Sequence, residues 1–114
     1  MNMVEIYTAE MARNDVAATE QIRKEQEEKR WNAAIADAVE RNLKDIYGEI
    51  RKRACKGVHS YVHSLYGVDC YEFYLSPSTL CRPIMEHLFN AGYTVDYEEV
   101  DEEDECCYDI YINW

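Results

Sequence analysis

The side chains best able to do chemistry in this chain of 114 residues are three histidines and five cysteines. His59 and His63 lie four residues apart, so a β-strand would place both on one face, but the cysteines are scattered along the sequence. A structural zinc site needs four converging nitrogen or sulfur ligands, usually including a closely spaced pair such as Cys-x-x-Cys. The adjacent Cys106 and Cys107 would point to opposite faces of a strand. We therefore predict neither a metal site nor a cofactor.

The cysteines also lack the features of a nucleophile. Catalysis by cysteine needs a positioned base and a lowered pKa, and nothing in the sequence favours one thiol over the others. Their odd number, without a secretion signal, is typical of reduced and largely buried thiols. We predict that the protein has no catalytic residues and is not an enzyme. The five thiols are Cys55, Cys70, Cys81, Cys106 and Cys107.

The net charge of −11 is divided unevenly along the chain. Residues 1–56 hold eleven Lys/Arg and eleven Asp/Glu, whereas residues 57–114 hold twelve acids and the single cation Arg82. Direct binding to nucleic acid or to an anionic membrane is disfavoured, because both depend on Lys and Arg. With no run of eighteen apolar residues and no signal-peptide pattern, the sequence predicts a soluble, cytoplasmic protein. The acidic surplus fits either a partner with a basic protein surface or simple solubility.

The acidic surplus is concentrated in residues 98–105, where seven of eight positions are Asp or Glu. A run of like charge is normally a solvated, self-repelling connection, and we expect one here. The run lacks the glycine and the alternating Asp/Asn ligands of an EF-hand calcium loop. The sharper alternative is a surface that mimics phosphates and occupies the nucleic-acid-binding groove of another protein. The candidate partner-binding acids are Glu98, Glu99, Asp101, Glu102, Glu103, Asp104 and Glu105.

Tyrosine is the second unusual feature, because eight of the ten tyrosines follow residue 60. A layer of helices covers only one face of a sheet, so we expect some rings to be exposed, with Tyr66, Tyr71 and Tyr111 as candidates. Tyrosine is enriched at binding hot spots because it offers a large, stiff, amphipathic contact, although strand propensity alone would also account for it. We predict that Tyr71 and Tyr111 contact a partner.

The element that must carry these groups is a long helix over residues 15–57. No Gly or Pro occurs in it before Gly48, cations fill its final turns, and Gly57 fits the left-handed position after a helix end. Thr8 can cap an earlier start at Ala9. Apolar residues at steps of three or four predict one buried face, formed by Trp31, Ile35, Val39, Leu43, Ile46, Ile50 and Ala54.

The first thirty residues do not continue that face. Ile22 and Trp31 are nine residues apart and point to opposite sides of a helix, and residues 23–30 contain no apolar side chain. Either the helix breaks there, giving two helices in series, or its first part is buried against a partner chain or a folded-back helix. We divide the chain into a helical extension, residues 1–30, and a compact domain, residues 31–114. The candidate oligomer contacts are Met11, Ala18 and Ile22.

After the long helix the sequence predicts a compact α+β unit of order β-β-α-β-β with a mainly antiparallel sheet. Two strands are predicted over residues 58–65 and 70–75, with a turn at residues 67–69 between them. A sheet of three or four strands, with both helices on one face, would bury the apolar side chains.

A second helix is predicted to begin at Ser76 or Ser78 and to end at Gly92. Apolar and polar residues alternate over residues 93–99 and again over residues 106–114, which predicts an antiparallel hairpin with the acidic run at its tip. The predicted buried side of the second helix consists of Ile84, Met85, Leu88 and Phe89.

Four short motifs are spaced along the chain. They are Thr-Ala-Glu-x-Ala-Arg at residues 8–13, Ala-x-Lys-Gly at residues 54–57, Leu-x-x-x-Gly-Tyr-x-Val at residues 88–95, and an alternating strand ending in Trp at residues 108–114. Together they resemble a pattern found in small uncharacterised phage-encoded α+β proteins. The resemblance implies a phage or prophage origin and carries no activity with it.

We expect a non-enzymatic protein that binds and inhibits a host protein through its acidic, tyrosine-rich C-terminal half. The phage resemblance favours a defence nuclease as the target, in the manner of anti-CRISPR or anti-restriction DNA mimics. One alternative is a virion-associated structural protein that assembles through its N-terminal helix. Another is an oligomer that sequesters a nucleotide at the basic cluster of residues 51–56, which would require stacking by a nearby tyrosine.

Overall fold

A computed structural model describes residues 4–102 and 105–114. The predicted partner contacts Glu103 and Asp104 lie outside the described residues. The architecture is α+β, as predicted, with a long N-terminal helix, a second helix and antiparallel sheets. The elements in chain order are α1 (Ala9–Ala54), β1 (Ser60–Leu65), β2 (Val68–Cys70), β3 (Phe73–Leu75), α2 (Pro77–Asn90), β4 (Thr94–Glu102) and β5 (Glu105–Asn113).

Helix α1 is a single uninterrupted helix of 46 residues, which excludes the alternative of two helices in series with a break over residues 23–30. At about 1.5 Å per residue it is roughly 69 Å long. The Thr8 hydroxyl accepts a hydrogen bond from the backbone N–H of Met11 at 3.1 Å, which caps the first turn as expected. The other end carries Arg51, Lys52 and Arg53, whose positive charges interact favourably with the negative end of the helix dipole.

The two halves of α1 have different surroundings. Residues 31–50 supply a buried stripe, although Ala54, predicted to end that stripe, is exposed. Residues 9–30, which we call the rod, are exposed throughout except for the half-buried Ala12, and no described element folds back against them. The rod keeps its backbone hydrogen bonds within the helix, so it needs no neighbour to satisfy them. The buried residues of the stripe are Ala34, Ala38, Val39, Ile46 and Ile50.

The main sheet has three antiparallel strands in the order β1-β5-β4. One face carries Ile110 and Ile112, which are fully buried against the two helices. Helix α2 begins at Ser76, whose hydroxyl accepts the backbone N–H of Thr79 at 3.3 Å. Its fully buried side chains, Leu80, Ile84 and Leu88, recur every four residues and so face the sheet together.

A second, two-stranded sheet corrects the sequence prediction between the helices. Residues 67–69 do not form the turn, because β2 begins at Val68, and the predicted strand over residues 70–75 is interrupted by a turn at Tyr71 and Glu72. Both turn residues have positive φ, 50° and 70°. Such turns usually contain Asn-Gly or Asp-Gly, so the sequence carried no signal for this one. Three strands, rather than two, therefore precede α2.

The acidic run is also organised differently from the prediction. Strand β4 continues to Glu102 and β5 begins at Glu105, and these two residues are paired in the backbone register. Most of the run is thus the end of a β-ribbon and not a solvated connection. We call this part of the hairpin, residues 98–102 and 105–109, the acidic ribbon. Its register is continuous with the rest of the hairpin down to Thr94 paired with Asn113.

Candidate functional site

The acidic ribbon divides its side chains between two faces. Paired residues of an antiparallel ladder point to the same side, and successive residues alternate. Glu99 pairs with Tyr108 and Asp101 with Cys106, on the face that carries the helices further along the sheet. Glu98 pairs with Asp109 on the opposite face. The predicted acidic surface is therefore two surfaces, one beside α2 and one away from it.

The face beside α2 gathers two carboxylates around a thiol. Ligand atoms of Glu99, Asp101 and Cys106 all lie within 4.8 Å of one another, and all three residues are exposed. The Cys106 thiol donates a hydrogen bond to Glu99 Oε1 at 3.4 Å. Desolvation, together with Glu99 and Asp101, raises the pKa of Cys106 to about 11, so this thiol stays protonated at neutral pH. A nucleophilic or metal-binding cysteine needs the opposite shift.

The opposite face is internally hydrogen-bonded. The Tyr111 hydroxyl donates to Glu98 Oε2 at 2.9 Å, and Ser64 on β1 donates to Asp109 Oδ1 at 2.9 Å. The hydrogen bond to Glu98 raises the pKa of Tyr111. Tyr111, which we had expected among the exposed tyrosines, is half-buried. Its hydroxyl is already engaged within the sheet.

Two adjoining clefts open where the acidic ribbon meets α2 and the β2–β3 sheet. The first, which we call the apolar cleft, has a volume of about 470 Å³ and is lined mainly by Cys81, Met85, Phe89 and Tyr97. The second, which we call the acidic cleft, has a volume of about 620 Å³ and is lined mainly by Tyr66, Tyr74, Glu99 and Cys106. Ser78 and Tyr108 line both clefts and lie between them.

Stacked tyrosines form the boundary between the clefts. The rings of Tyr97 and Tyr108 lie 5.7 Å apart between centroids with an interplanar angle of 7°. Gly67 shapes the acidic cleft, because a Cβ at that position would lie 2.6 Å from Cζ of the Tyr74 ring. An alanine there would displace the ring. The absence of a side chain on Gly67 thus lets Tyr74 lie over the backbone.

Sequence reasoning missed the aromatic residues that carry this site. Phe89 was predicted to be buried, but it is 69% exposed and lines the apolar cleft. It is five residues from Ile84, so it lies about 140° round the helix from the buried stripe. That angle was the signal that could have identified it. Tyr97 lies on the helix-side face, as its alternation predicted, but it is 52% exposed because the strand extends past α2.

The remaining predicted contacts lie elsewhere. Tyr71 is 56% exposed at the turn of the β2–β3 hairpin and lines a separate hollow beside Arg30 rather than either cleft. That hairpin contacts α1 at Arg30, the last residue of the rod, through the Arg30–Glu72 ion pair at 3.0 Å. The proposed oligomer contacts Met11 and Ile22 are 43% and 55% exposed on the rod, and Ala18 is exposed between them.

His63 is buried and forms part of a hydrogen-bonded chain. Its Nε2 lies 3.0 Å from Oδ1 of Asn42, and its Nδ1 lies 3.2 Å from the Tyr61 hydroxyl. Asn42 in turn donates to the carbonyl of Ala38 at 2.9 Å. These partners suit a neutral ring that donates from Nε2 and accepts at Nδ1. Burial lowers the pKa of His63, which favours that neutral form.

The basic cluster at the end of α1 is engaged with its own surroundings. Arg53 lies over the Tyr61 ring, 4.9 Å from the centroid, and pairs with Glu49 at 3.9 Å. Lys52 pairs with the same carboxylate at 3.6 Å. The tyrosine that a bound nucleotide would need for stacking is therefore already covered by Arg53.

Comparison with protein-family models, with curated proteins and with solved structures finds no match for this chain. Within the described part of the chain, neither helix combines the length and the hydropathy that crossing a bilayer requires.

Proposed function

We propose that this chain is a non-enzymatic interaction protein that binds a basic partner protein through the acidic ribbon and the tyrosine-rich clefts beside it. In its most concrete form the partner is a host protein with a nucleic-acid-binding groove, such as a defence nuclease, and binding inhibits it. The observation that carries the proposal is the state of the ribbon's carboxylates. Of the ribbon acids whose side chains the structure describes, Glu98, Glu99, Asp101 and Asp109, none forms an ion pair with a described Lys or Arg.

The contrast with α1 supports this interpretation. Asp37, Glu40 and Glu49 each form an ion pair with a cation of the same helix, at 3.2 to 3.6 Å for the closest atoms. The described ribbon acids Glu98, Glu99, Asp101 and Asp109 have no such partner. Their half of the chain, residues 57–114, contains only one cation. Unpaired charge of one sign steers a partner of the opposite sign and accelerates encounter. A basic protein surface is the complementary partner.

The spacing of the acids supports mimicry of nucleic acid. Along an extended strand, side chains on one face repeat every two residues, about 6.7 Å apart. Glu99 and Asp101 are related in this way on one face, and Asp96 and Glu98 on the other. The repeat of about 6.7 Å applies to the backbone, and the carboxylate oxygens of Glu99 and Asp101 approach within 4.8 Å of each other. Two acids on each face thus concentrate charge of the sign that a phosphate-binding groove attracts. The proposed phage origin, based on the motif resemblance, is consistent with a target in host defence.

The test is capture of a partner from cells that express the tagged protein, with wild type compared to a variant carrying Glu98→Gln, Glu99→Gln and Asp101→Asn. We expect the wild type to retain a basic, nucleic-acid-binding protein whose retention decreases as salt rises from about 0.05 to 0.2 M. The variant should bind that protein about ten-fold or more weakly, because charges inside the contact are lost. Nucleic acid should compete with the wild type for the same partner.

The control variant carries Glu25→Gln, Glu27→Gln and Glu28→Gln on the rod. It has the same change in net charge, but its substitutions lie on an exposed surface far along α1 from the ribbon's sheet. We expect it to capture the partner as wild type does. Equal capture by all three proteins, or an equal loss in both variants, would eliminate the acidic ribbon as the binding surface.

The exposed rod favours assembly as a second candidate function. Met11, Ala18 and Ile22 are seven and four residues apart on one continuous helix, so they form one stripe. A structural role in a virion would use that stripe to hold neighbouring subunits. In this case Met11→Glu with Ile22→Glu should convert an oligomer to a monomer in sedimentation, whereas Val16→Glu, about 140° from Met11 round the helix, should not. A wild type that is monomeric at high concentration contradicts this candidate.

A further inference from the structure

The apolar and acidic clefts adjoin, share Tyr108, and offer different chemistry to a bound group. We propose that together they hold one short segment of the partner, with an apolar side chain in the apolar cleft and an arginine in the acidic cleft. This inference rests on the proposed function, because it specifies the chemistry of the partner at the same surface. It adds the pair of side chains that the partner must present.

The acidic cleft supplies what a cation needs. Glu99 and Cys106 line it, and a carboxylate oxygen of the adjoining Asp101 lies within 4.8 Å of the ligand atoms of both. Glu99 accepts a hydrogen bond from the Cys106 thiol, which leaves its charge uncompensated. No described Lys or Arg neutralises either acid. Tyr66 and Tyr74 line the same cleft and present aromatic rings to its occupant. Rings beside unneutralised carboxylates form an attractive environment for a cationic group.

Arginine fits this environment better than lysine. A guanidinium is planar, stacks on aromatic rings and can bond two carboxylate oxygens at once, whereas an ammonium is a compact and strongly hydrated point charge. The neighbouring apolar cleft does not suit a cation. Arg82 lines that cleft, where it pairs with Glu86 at 3.3 Å. We therefore place the arginine of the partner segment in the cleft that contains Glu99.

The apolar cleft supplies a site for an apolar side chain. Phe89 and Tyr97 are 69% and 52% exposed there, beside the half-buried Met85. A large exposed phenyl ring inside a concavity is typical of a contact surface, since burying it on binding stabilises the complex. The Tyr97–Tyr108 stack already holds both rings in place, so little side-chain entropy is lost when a segment binds against them.

The first experiment uses the full chain and blocked peptides of defined composition. In the extended peptide acetyl-Leu-Gly-Arg-amide, the leucine and arginine side chains point to the same side. We expect amide chemical shifts in a titration to move at residues 85–89, 97–101 and 106–108. The arginine peptide should bind about five-fold more tightly than the same peptide with neutral citrulline in place of arginine. Equal affinity for both peptides, or shifts confined to other parts of the chain, overturns the proposal.

Variants then separate the local site from general attraction. Glu99→Gln with Asp101→Asn should abolish the preference for arginine over citrulline, whereas Asp96→Asn with Glu98→Gln should preserve it. Both pairs lie on β4 and change the net charge equally, but they occupy opposite faces of the sheet. Phe89→Ala should weaken both peptides by a similar factor, because it removes the apolar contact alone. Equal loss of preference in the two acid variants overturns the local site.

These outcomes are distinct from those that test the proposed function. If the wild type captures a basic partner through the ribbon but binds the arginine and citrulline peptides equally, the function stands and the arginine site fails. If the peptides discriminate as expected but no partner is captured, the proposed function fails and the arginine site stands. The two readouts are independent because the titration needs no cellular partner.

Discussion

Two parts of this molecule extend past its core, and they do so by different means. The rod, residues 9–30, carries five basic and six acidic side chains, so its charge is nearly balanced. The acidic ribbon carries acids and no basic residue over residues 98–109. The rod satisfies its backbone hydrogen bonds within one helix, whereas the ribbon depends on pairing between β4 and β5. The rod therefore needs no second strand for its backbone hydrogen bonds and has almost no net charge, whereas the ribbon needs a paired strand and is strongly negative.

That difference has a consequence for partners. Strand β4 is at an edge of the sheet, with nine residues whose outer backbone groups have no described strand beside them. An edge of that length would be prone to pair with other chains, and charged side chains are a common means of preventing this. The acids thus disfavour edge pairing with copies of the same chain, and under the proposed function they are also the groups that attract a basic partner. The rod has a short apolar stripe and mixed charge, so its charge should neither repel copies of the chain nor attract a charged partner to the same extent.

Because the rod extends past the core, an isoleucine-to-alanine substitution there should have a much smaller effect on stability than the same substitution in the core. Ile84→Ala removes a fully buried side chain from α2 and should lower the free energy of unfolding by about 2–5 kcal/mol. Ile22→Ala removes a side chain that is 55% exposed on the rod, and its effect should stay within about 0.5 kcal/mol. Alanine is also the better helix former, which offsets any small loss. Denaturant unfolding followed by circular dichroism measures both values.

The Ile22 variant also distinguishes a bare rod from an assembled one. If the rod packs against another subunit, Ile22→Ala should cost well over 1 kcal/mol, and the cost should grow with protein concentration. If it does not, unfolding of wild type and variant should coincide at every concentration. Val16→Ala, at a side chain 57% exposed on another side of the rod, provides the matched control.

The sequence predicted the elements whose signal is periodic. The part of α1 that packs on the core, the buried positions Ile84 and Leu88 of α2, and the hairpin of β4 with β5 followed from spacing, because burial of one face repeats at the period of the element. The rod's continuity through residues 23–30 was harder to predict. No apolar side chain is present there, yet i,i+4 pairs such as Glu20 with Lys24 support a helix without a core.

The sequence did not predict which side chains remain exposed where α2 ends over the sheet. The extent of α2 over the sheet determines that Tyr97 is exposed and that Phe89 lines a cleft, and neither follows from local spacing. The turn at Tyr71 and Glu72 requires two positive φ angles at residues that disfavour them. Tertiary packing of the hairpin, including Phe73 against Trp31 at 5.3 Å, supports that conformation. The clefts arise from these same non-local arrangements.

The smallest expected effect is a difference in thiol reactivity between two exposed cysteines, one beside basic residues and one among acidic residues. Cys55 follows the basic last turn of α1, and Cys106 lies among the carboxylates of the ribbon. The pKa of Cys106 is raised to about 11 from the ordinary 9.0, which reduces its thiolate fraction at pH 8 about a hundred-fold. The more basic thiolate is intrinsically more nucleophilic, so its net rate of disulfide exchange should be about ten-fold below that of an ordinary thiol.

A neutral disulfide reagent such as 2,2′-dithiodipyridine measures that rate without electrostatic repulsion, in Cys55→Ser and Cys106→Ser variants that each retain one exposed thiol. We expect Cys106 to react more slowly than Cys55. Glu99→Gln should accelerate Cys106, because it removes the acceptor of the thiol hydrogen bond and a nearby negative charge. Glu98→Gln, on the other face of the same strand, should leave the rate nearly unchanged. A Cys106 that reacts faster than Cys55 would mean that the ribbon's acids do not suppress the reactivity of the thiol on their own side of the sheet.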